Sequence, residues 1–399
     1  MALNTGQKAF RNDIKSVKVS VAGDFMAPPL LHLDSNEELN INFDILDESP
    51  EYLKYRLIHC NADWQPSQLL ESEYLGGFNE VSIDDFAFSS NTFTHFVNYN
   101  ISLPDSRLPI LRSGNYLLQV FPENEPDDII LQTRFYVAED IVKPKGKASS
   151  KTDKGTDSYF QQLEVTANQA GLDNVNPYQD LFLTVYMNNN PESLRIIKSP
   201  GRIDSKEITY EHNPSLIFEA GNEFRRFEIV RTDYPGMKVD SVGFVDGMWN
   251  AWLQTDYSRK DKPYSFDETQ HGRFKIDEYN SSEPDLGADY VMVHFSLDLP
   301  ENIDGKIYVI GEFSDYAPSP SNLMHFDPVD GLYHASVPLK QGSYNYQYGV
   351  VKKSGQNFSF KEIEGNKYET LNEYLVLVYL RTPGARADRL VGSLLINTK

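Results

Sequence analysis

The sequence predicts an all-β protein made of β-sandwich modules in series. Three observations predict it. Short alternation of apolar and polar residues recurs along the chain, which is the period of a half-buried strand. The alternating runs are rich in Val, Ile, Tyr, Phe and Thr and are separated by Gly, Pro, Asn and Asp clusters, the punctuation of antiparallel sheets. Helical windows are few, the best being the short Pro66-Ser67-Gln68-Leu69-Leu70. Many strands at short spacing imply antiparallel sandwiches, not alternating βα units.

In chain order, Val17, Val19 and Val21 alternate with Lys18 and Ser20. Strand signals follow at 52–59, at 115–121 after a Ser113-Gly114 turn, and at 129–137. They define a first module, 1–142. Residues 143–157 are crowded with Lys, Gly and Ser and lack apolar periodicity. They read as a solvated linker or exposed loop. As the one basic stretch of an acidic chain, this segment has an electrostatic docking strip as its functional alternative. Strands resume at 160–165, 181–186, 194–197, 216–218, 224–230 and 239–244. With the polar tail 254–289 they make a second module, 158–285. A third, 286–399, holds runs at 290–297, 306–313, 333–339, 344–351, 374–380 and 390–396, with a hairpin turn at Asp330-Gly331. No fixed-period repeat is visible.

The charge balance excludes some functions. Lys+Arg number 37 against 58 Asp+Glu, a net charge of −21. Such a surface repels phosphate backbones and anionic lipid heads, so nucleic acid and the membrane surface are not expected partners. The 23 Phe and 24 Tyr are enough for several packed cores, which excludes wholesale disorder. Cys60 is the single cysteine, ruling out a disulfide framework or a thiolate zinc site within one chain. No run approaches the ~20 apolar residues of a membrane span. Residues 1–6 show neither the basic start nor the apolar stretch of a secretory leader. Two readings stay open: a cytoplasmic protein, or a mature exported protein without its leader.

No catalytic constellation emerges. The eight histidines are scattered, with no His-Glu-x-x-His pair. His325 and His334 flank the Asp330-Gly331 turn and supply two ligands at most, so they read as a solvated cross-strand pair. No Gly-x-Ser-x-Gly elbow, Gly-x-Gly-x-x-Gly or P-loop is present. Cys60 follows His59, but neighbours on a strand point to opposite faces. Cys60 therefore reads as a small buried apolar residue, with Trp64 closing the sandwich. The carboxylate pairs Asp84-Asp85, Asp127-Asp128, Asp285 with Asp289, and Asp327 with Asp330 read as solvated loop residues, not a glycosidase dyad or calcium loop. Trp249 and Trp252 project to opposite faces of an extended chain, so one plugs a core and the other is a possible glycan or protein anchor. In Phe224-Arg225-Arg226-Phe227-Glu228-Ile229, alternation turns Arg225 toward the apolar face, where a guanidinium must be paired. Glu219 and Glu223 are the nearby candidates for a structural ion pair. No catalytic, cofactor-binding or metal-binding residue is assigned, and no cofactor is expected.

Three stretches carry a resemblance. They are 58–67 (Ile58-His59-Cys60-Asn61-Ala62-Asp63-Trp64-Gln65-Pro66-Ser67) continuing through Glu73-Tyr74-Leu75-Gly76-Gly77-Phe78-Asn79; 218–227 (Phe218-Glu219-Ala220-Gly221-Asn222-Glu223-Phe224-Arg225-Arg226-Phe227); and 372–381 (Asn372-Glu373-Tyr374-Leu375-Val376-Leu377-Val378-Tyr379-Leu380-Arg381) followed by Asp388-Arg389-Leu390-Val391-Gly392. In order and spacing they resemble the type IX secretion system plug protein family of the Bacteroidota, from about Val17 to Asn397. The resemblance implies a periplasmic, non-enzymatic protein that closes the periplasmic mouth of a very large outer-membrane β-barrel translocon. It assigns no site residues. A second resemblance covers the C-terminal module. Val309-Ile310-Gly311-Glu312-Phe313-Ser314, Gly331-Leu332-Tyr333 and Gly342-Ser343-Tyr344-Asn345-Tyr346-Gln347-Tyr348 are similar to early-set immunoglobulin-like modules that accompany glycan-active enzymes. Residues 290–399 contain no Trp, which argues against glycan binding there. The expectation is an all-β chain of immunoglobulin-like or early-set sandwiches acting as a plug. The alternative is carbohydrate binding through Trp64, Trp249 or Trp252.

Overall fold

In a computed structural model, the protein is described at residues 8–168, 171–172, 175–204, 207–299, 303–353 and 358–398. Residues 1–6, read above for a leader, lie outside the described residues. The chain is almost entirely β-structure, arranged as three two-sheet sandwiches.

In the first sandwich, Ile14–Val21, Leu39–Ile45, Val97–Leu103 and Phe86–Phe88 form one sheet. The facing sheet runs Lys8–Ala9, Leu131–Ala138, Gly114–Pro122, Leu53–Cys60 and Val81–Ser82, with Leu30–His32 parallel to Leu131–Ala138. Strand alternation places Leu39, Ile41 and Phe43 against Leu53, Tyr55 and Leu57, all buried.

The second sandwich pairs a sheet of Lys145–Ser149, Phe160–Asn168, Glu207–Tyr210 and Arg202–Ile203, joined by Ile217–Glu219, with a sheet ordered Asn190–Ile197, Leu181–Met187, Glu373–Leu380 and Arg389–Asn397. The third packs Arg225–Ile229, Gly342–Lys352, Phe274–Ile276 and Gly305–Ile310 against Val239–Val245, Met248–Leu253, Tyr290–Asp298, Leu332–Lys340 and His325–Asp327.

This pairing corrects the residue ranges read from the sequence. Glu373–Leu380 and Arg389–Asn397, assigned above to a module 286–399, pair with Leu181–Met187 and complete the second sandwich. Arg225–Ile229 and Val239–Val245, assigned to 158–285, belong to the third. The third sandwich is thus inserted into the second. The chain leaves after Ile217–Glu219 and returns at Glu373, crossing the same joint twice. No boundary falls near Asp285.

Residues 143–157 are not a linker. Lys145–Ser149 pairs with Phe160–Asn168, and Lys151–Thr152 with Gly155–Thr156. The Lys-Gly-Lys-Ala-Ser pattern hides a strand because its inward positions are small. A Cβ on Gly146 would lie 2.6 Å from Ile396 Cδ1 and 3.0 Å from Glu164 O, so a larger residue there would have to displace the Ile396 side chain of the facing sheet. Val142 is solvent-free and its N–H donates to Val391 O at 2.8 Å. The first sandwich therefore runs into the second without a spacer. The short helix lies at Glu71–Tyr74, just past the window read from the sequence. No helix among the described residues is long and apolar enough to cross a membrane.

Candidate functional site

The stretches singled out in the sequence converge on the joints between sandwiches. At the joint of the first and second, Asn61–Gln65 forms a tight turn in which Trp64 adopts φ +65°. That conformation costs a non-glycine residue roughly 1–3 kcal/mol. It aims the indole out of the first sandwich. Trp64 is buried, donates from Nε1 to Tyr186 Oη at 2.9 Å, packs on Tyr136 and lies under the Arg134 guanidinium. Trp64, Cys60 and Ala62 share one apolar cluster with Leu375, Leu377, Tyr379 and Leu390 of the second sandwich. Asp388 closes the rim. It accepts from Ala62 N at 3.0 Å and from Arg381 at 3.2 Å, while its own N–H donates to Asn61 Oδ1 at 3.1 Å. Gly392 lets the backbones meet, since a Cβ there would lie 2.2 Å from Val142 O.

At the joint of the second and third sandwiches, buried side-chain amides span the two crossings. Asn372 Nδ2 donates to Gln161 Oε1 at 2.9 Å and to Ala220 O at 2.8 Å, and its Oδ1 accepts from Asn188 Nδ2 at 2.7 Å. Asn222 Nδ2 donates to Glu364 O at 2.8 Å. Arg273, fully buried, donates to Glu373 Oε1 at 2.6 Å. The first and third sandwiches meet through Asp44, Tyr290 and Lys340, and through Lys18 with Glu312 at 3.0 Å. Buried polar contacts of this kind favour one relative placement of the sandwiches, because a slip strands amide and charged groups away from water.

The other residues read from the sequence are distributed as follows. Cys60 is fully buried, and burial pushes its thiol up to about 12. His59 points away from it to Ser113 O at 3.0 Å, and burial lowers its pKa. Arg225 is buried and paired, but not with Glu219 or Glu223. Its partners are Glu364 at 3.0 Å and Asp256 at 2.7 Å, from distant segments. Glu223 instead accepts from Tyr264 and Leu371 N. Burial opposes ionisation of Glu364, yet Arg225 and Arg259 hold its carboxyl below the ordinary value. Arg226 pairs with Asp267 at 3.0 Å. Asp84, Asp85, Asp127 and Asp128 are exposed. Asp289 is buried and accepts from Phe93 N and Thr94 N. Asp327, Asp330 and His334 bring ligand atoms within 4.8 Å of one another, but Asp330 already accepts from His334 at 2.8 Å and from Leu332 N. His325 sits across from His334 in register. Trp249 is half-buried against Phe244, and Trp252 is exposed and stacked on His294. Both belong to the third sandwich.

Asp44, Lys340 and Arg273 escaped the sequence reading. A lone charge inside an apolar run, as in Phe43-Asp44-Ile45 or Leu339-Lys340, was the available signal.

A crystal structure at 2.30 Å of a hypothetical protein from Parabacteroides merdae matches this fold with a TM-score of 0.95 at 37% identity, over 99% of this chain and 100% of that one. The family model described as the Type 9 secretion system plug protein 1st domain matches residues 14–139. Residues 14–139 thus carry the first domain of the type 9 secretion system plug protein family. Within that plug-family match lies the first sandwich core, including the turn that carries Trp64. A putative membrane anchored protein from Corynebacterium diphtheriae aligns at 8% identity over 96% of this chain and 91% of that one, with a TM-score of 0.14 that bears no weight on fold. No curated protein matches the chain.

Proposed function

We propose that this plug-family protein works in the periplasm, without bond-making chemistry, by seating against the large outer-membrane β-barrel translocon of a type IX secretion system and closing its periplasmic mouth. The observation that carries this reading is the set of buried polar joints that bind three sandwiches into one body, in a chain that carries the plug family's first domain. An obstruction must resist deformation, and a joint crossed twice by the chain, with buried hydrogen bonds and an ion pair at the other two, supports that resistance. A stable seat buries roughly 1,200–2,000 Å² of combined surface. The net charge of −21 favours a basic or mixed rim on the barrel. Affinity purification of the tagged protein from native membranes tests the reading. Recovery of an outer-membrane barrel is expected; recovery of no barrel partner defeats it.

Carbohydrate binding is the second reading, favoured by the exposed Trp252. Trp64 cannot contribute, because its indole is enclosed at a joint. Tryptophan fluorescence titrated with soluble starch and cell-wall glycans separates the two readings. A flat response to every glycan eliminates this one.

A further inference from the structure

We infer that the cleft between the first and third sandwiches, walled by Phe93 and Trp249 and edged by Glu278 and Glu283, docks a protein segment that presents a basic side chain beside apolar ones. The inference rests on the plug reading and names the face by which the partner would be held.

The cleft is lined by both sandwiches, with Phe93 from the first and Trp249, Glu278 and Glu283 from the third. Phe93 is 62% exposed and Phe244 46% exposed. Their rings lie 4.7 Å apart, with the Trp249 ring 6.1 Å from Phe93 and 5.2 Å from Phe244. Clustered exposed aromatics of this kind anchor interfaces, and here three rings meet at the edge of a cleft lined by two sandwiches. The cluster is held in place before any partner arrives. Asp289 accepts from Phe93 N at 2.8 Å and Thr94 N at 3.0 Å, fixing the loop. Phe244 and Trp249 face each other across the hairpin of Val239–Val245 and Met248–Leu253, turned at Asp246 (φ +52°) and Gly247 (φ +83°). Preorganised rings lose little entropy on binding.

Charge decides the occupant. The described lining contains Glu278, Glu283 and Asp289 and no Lys or Arg. Asp289 is committed to backbone N–H groups, while among the described residues the Glu278 carboxylate accepts only from its neighbour Asn280. Arg231, which feels the field of Glu278, is itself bound by Asp233 at 2.6 Å. A lysine or arginine entering the cleft meets two carboxylates and the faces of the aromatic rings, both attractive to a cation. The chain's charge of −21 repels anionic lipid and nucleic acid from the same place. The edge of the Val239–Val245 strand has no strand partner among the described residues, so a segment can approach along it.

The experiment compares the tagged wild type with two double variants in the same membrane extract. Phe93→Ala with Phe244→Ala removes the anchor, and Glu278→Lys with Glu283→Lys reverses the charge while leaving the rings. Each is expected to reduce the recovered barrel at least tenfold, with circular dichroism and melting like the wild type. Phe326→Ala, an exposed ring on another hairpin, is expected to leave recovery unchanged. If the wild type recovers the barrel and the charge-reversed variant recovers it equally, the docking face is wrong while the plug reading stands. If the wild type recovers none, both fall.

Discussion

Lys340 Nζ and Asp44 Oδ2 are 296 positions apart in the chain and 2.7 Å apart in space, with side chains 1% and 0% exposed. Tyr290 donates to the same carboxylate oxygen at 2.6 Å, Asn98 to the other at 2.7 Å, and the ammonium sits 3.9 Å from the Phe96 ring centroid. A buried pair adds little net stability over an apolar replacement, but removing one partner leaves a charge stranded. Asp44→Ala is expected to destabilise the protein by about 3–5 kcal/mol. The joint variant Asp44→Leu with Lys340→Met is expected to recover most of that loss. Urea unfolding of the single and joint variants checks this; equal losses in both would show that the stranded ammonium is not the cause.

Trp64 is the apolar counterpart at the other joint. Trp64→Ala is expected to cost about 3–5 kcal/mol, the range for truncating a large buried ring. It should also open the segment around Val142 to limited proteolysis, because the first and second sandwiches separate there. Trp64→Phe keeps most of the buried area and loses the hydrogen bond to Tyr186, so it is expected to cost less. An unchanged urea midpoint in Trp64→Ala would remove Trp64 from the account of that joint.

The Cys60 thiol is enclosed, and burial pushes it up to about 12. The native protein is therefore expected to leave a chromogenic disulfide reagent uncoloured at pH 8, and to react with one equivalent once unfolded in guanidinium. Rapid labelling of the folded protein would contradict the packing described.

Glu139 links the same two sandwiches through Arg389. Burial opposes its ionisation, but Arg389 and the Ser113 hydroxyl overcome that and hold its carboxyl below the ordinary value. Because the folded form binds the proton less readily than the unfolded form, the stabilisation is complete above the ordinary value near 4.5 and fades as pH falls through the lower folded value. The stability gap between wild type and Glu139→Gln is expected to be largest at neutral pH and to close below pH 4.5. A gap that widens on acidification would reverse the assigned sign.

Gly392→Ala tests the close approach of backbones. The added Cβ would meet Val142 O at 2.2 Å. The strand carrying it is central to the joint, so a loss of about 1–3 kcal/mol is expected from the forced shift. Melting temperature reads it directly, and an unaffected melt would mean the two backbones can part without cost.

The all-β class and most strands were legible because period-two alternation is a local property. Strand partnership is not. Glu373–Leu380 is buried at every position, so its apolar run carries no sign of which sheet receives it, and its partner Leu181–Met187 lies far upstream. Arg225 announced its burial by alternation, but its partner Glu364 is 139 residues away, beyond any neighbourhood argument. Lys145–Ser149 carries the composition of a linker because glycine and small or charged residues signal looseness in sequence, whereas its backbone pairs along Phe160–Asn168, a partnership no local pattern announces. Trp64 was legible as buried. Its role between two sandwiches depends on Tyr186, 122 positions on.

The third sandwich is tied to the second by an outgoing and a returning crossing, one from each of its two sheets, bridged where Asn372 Nδ2 donates to Ala220 O. A unit hung on one thread can spin about it, but a unit hung on two adjacent threads transmits torque. A sideways push at its far tip is delivered to its neighbour as bending of a paired beam, so the molecule yields as a lever and not as a string of beads.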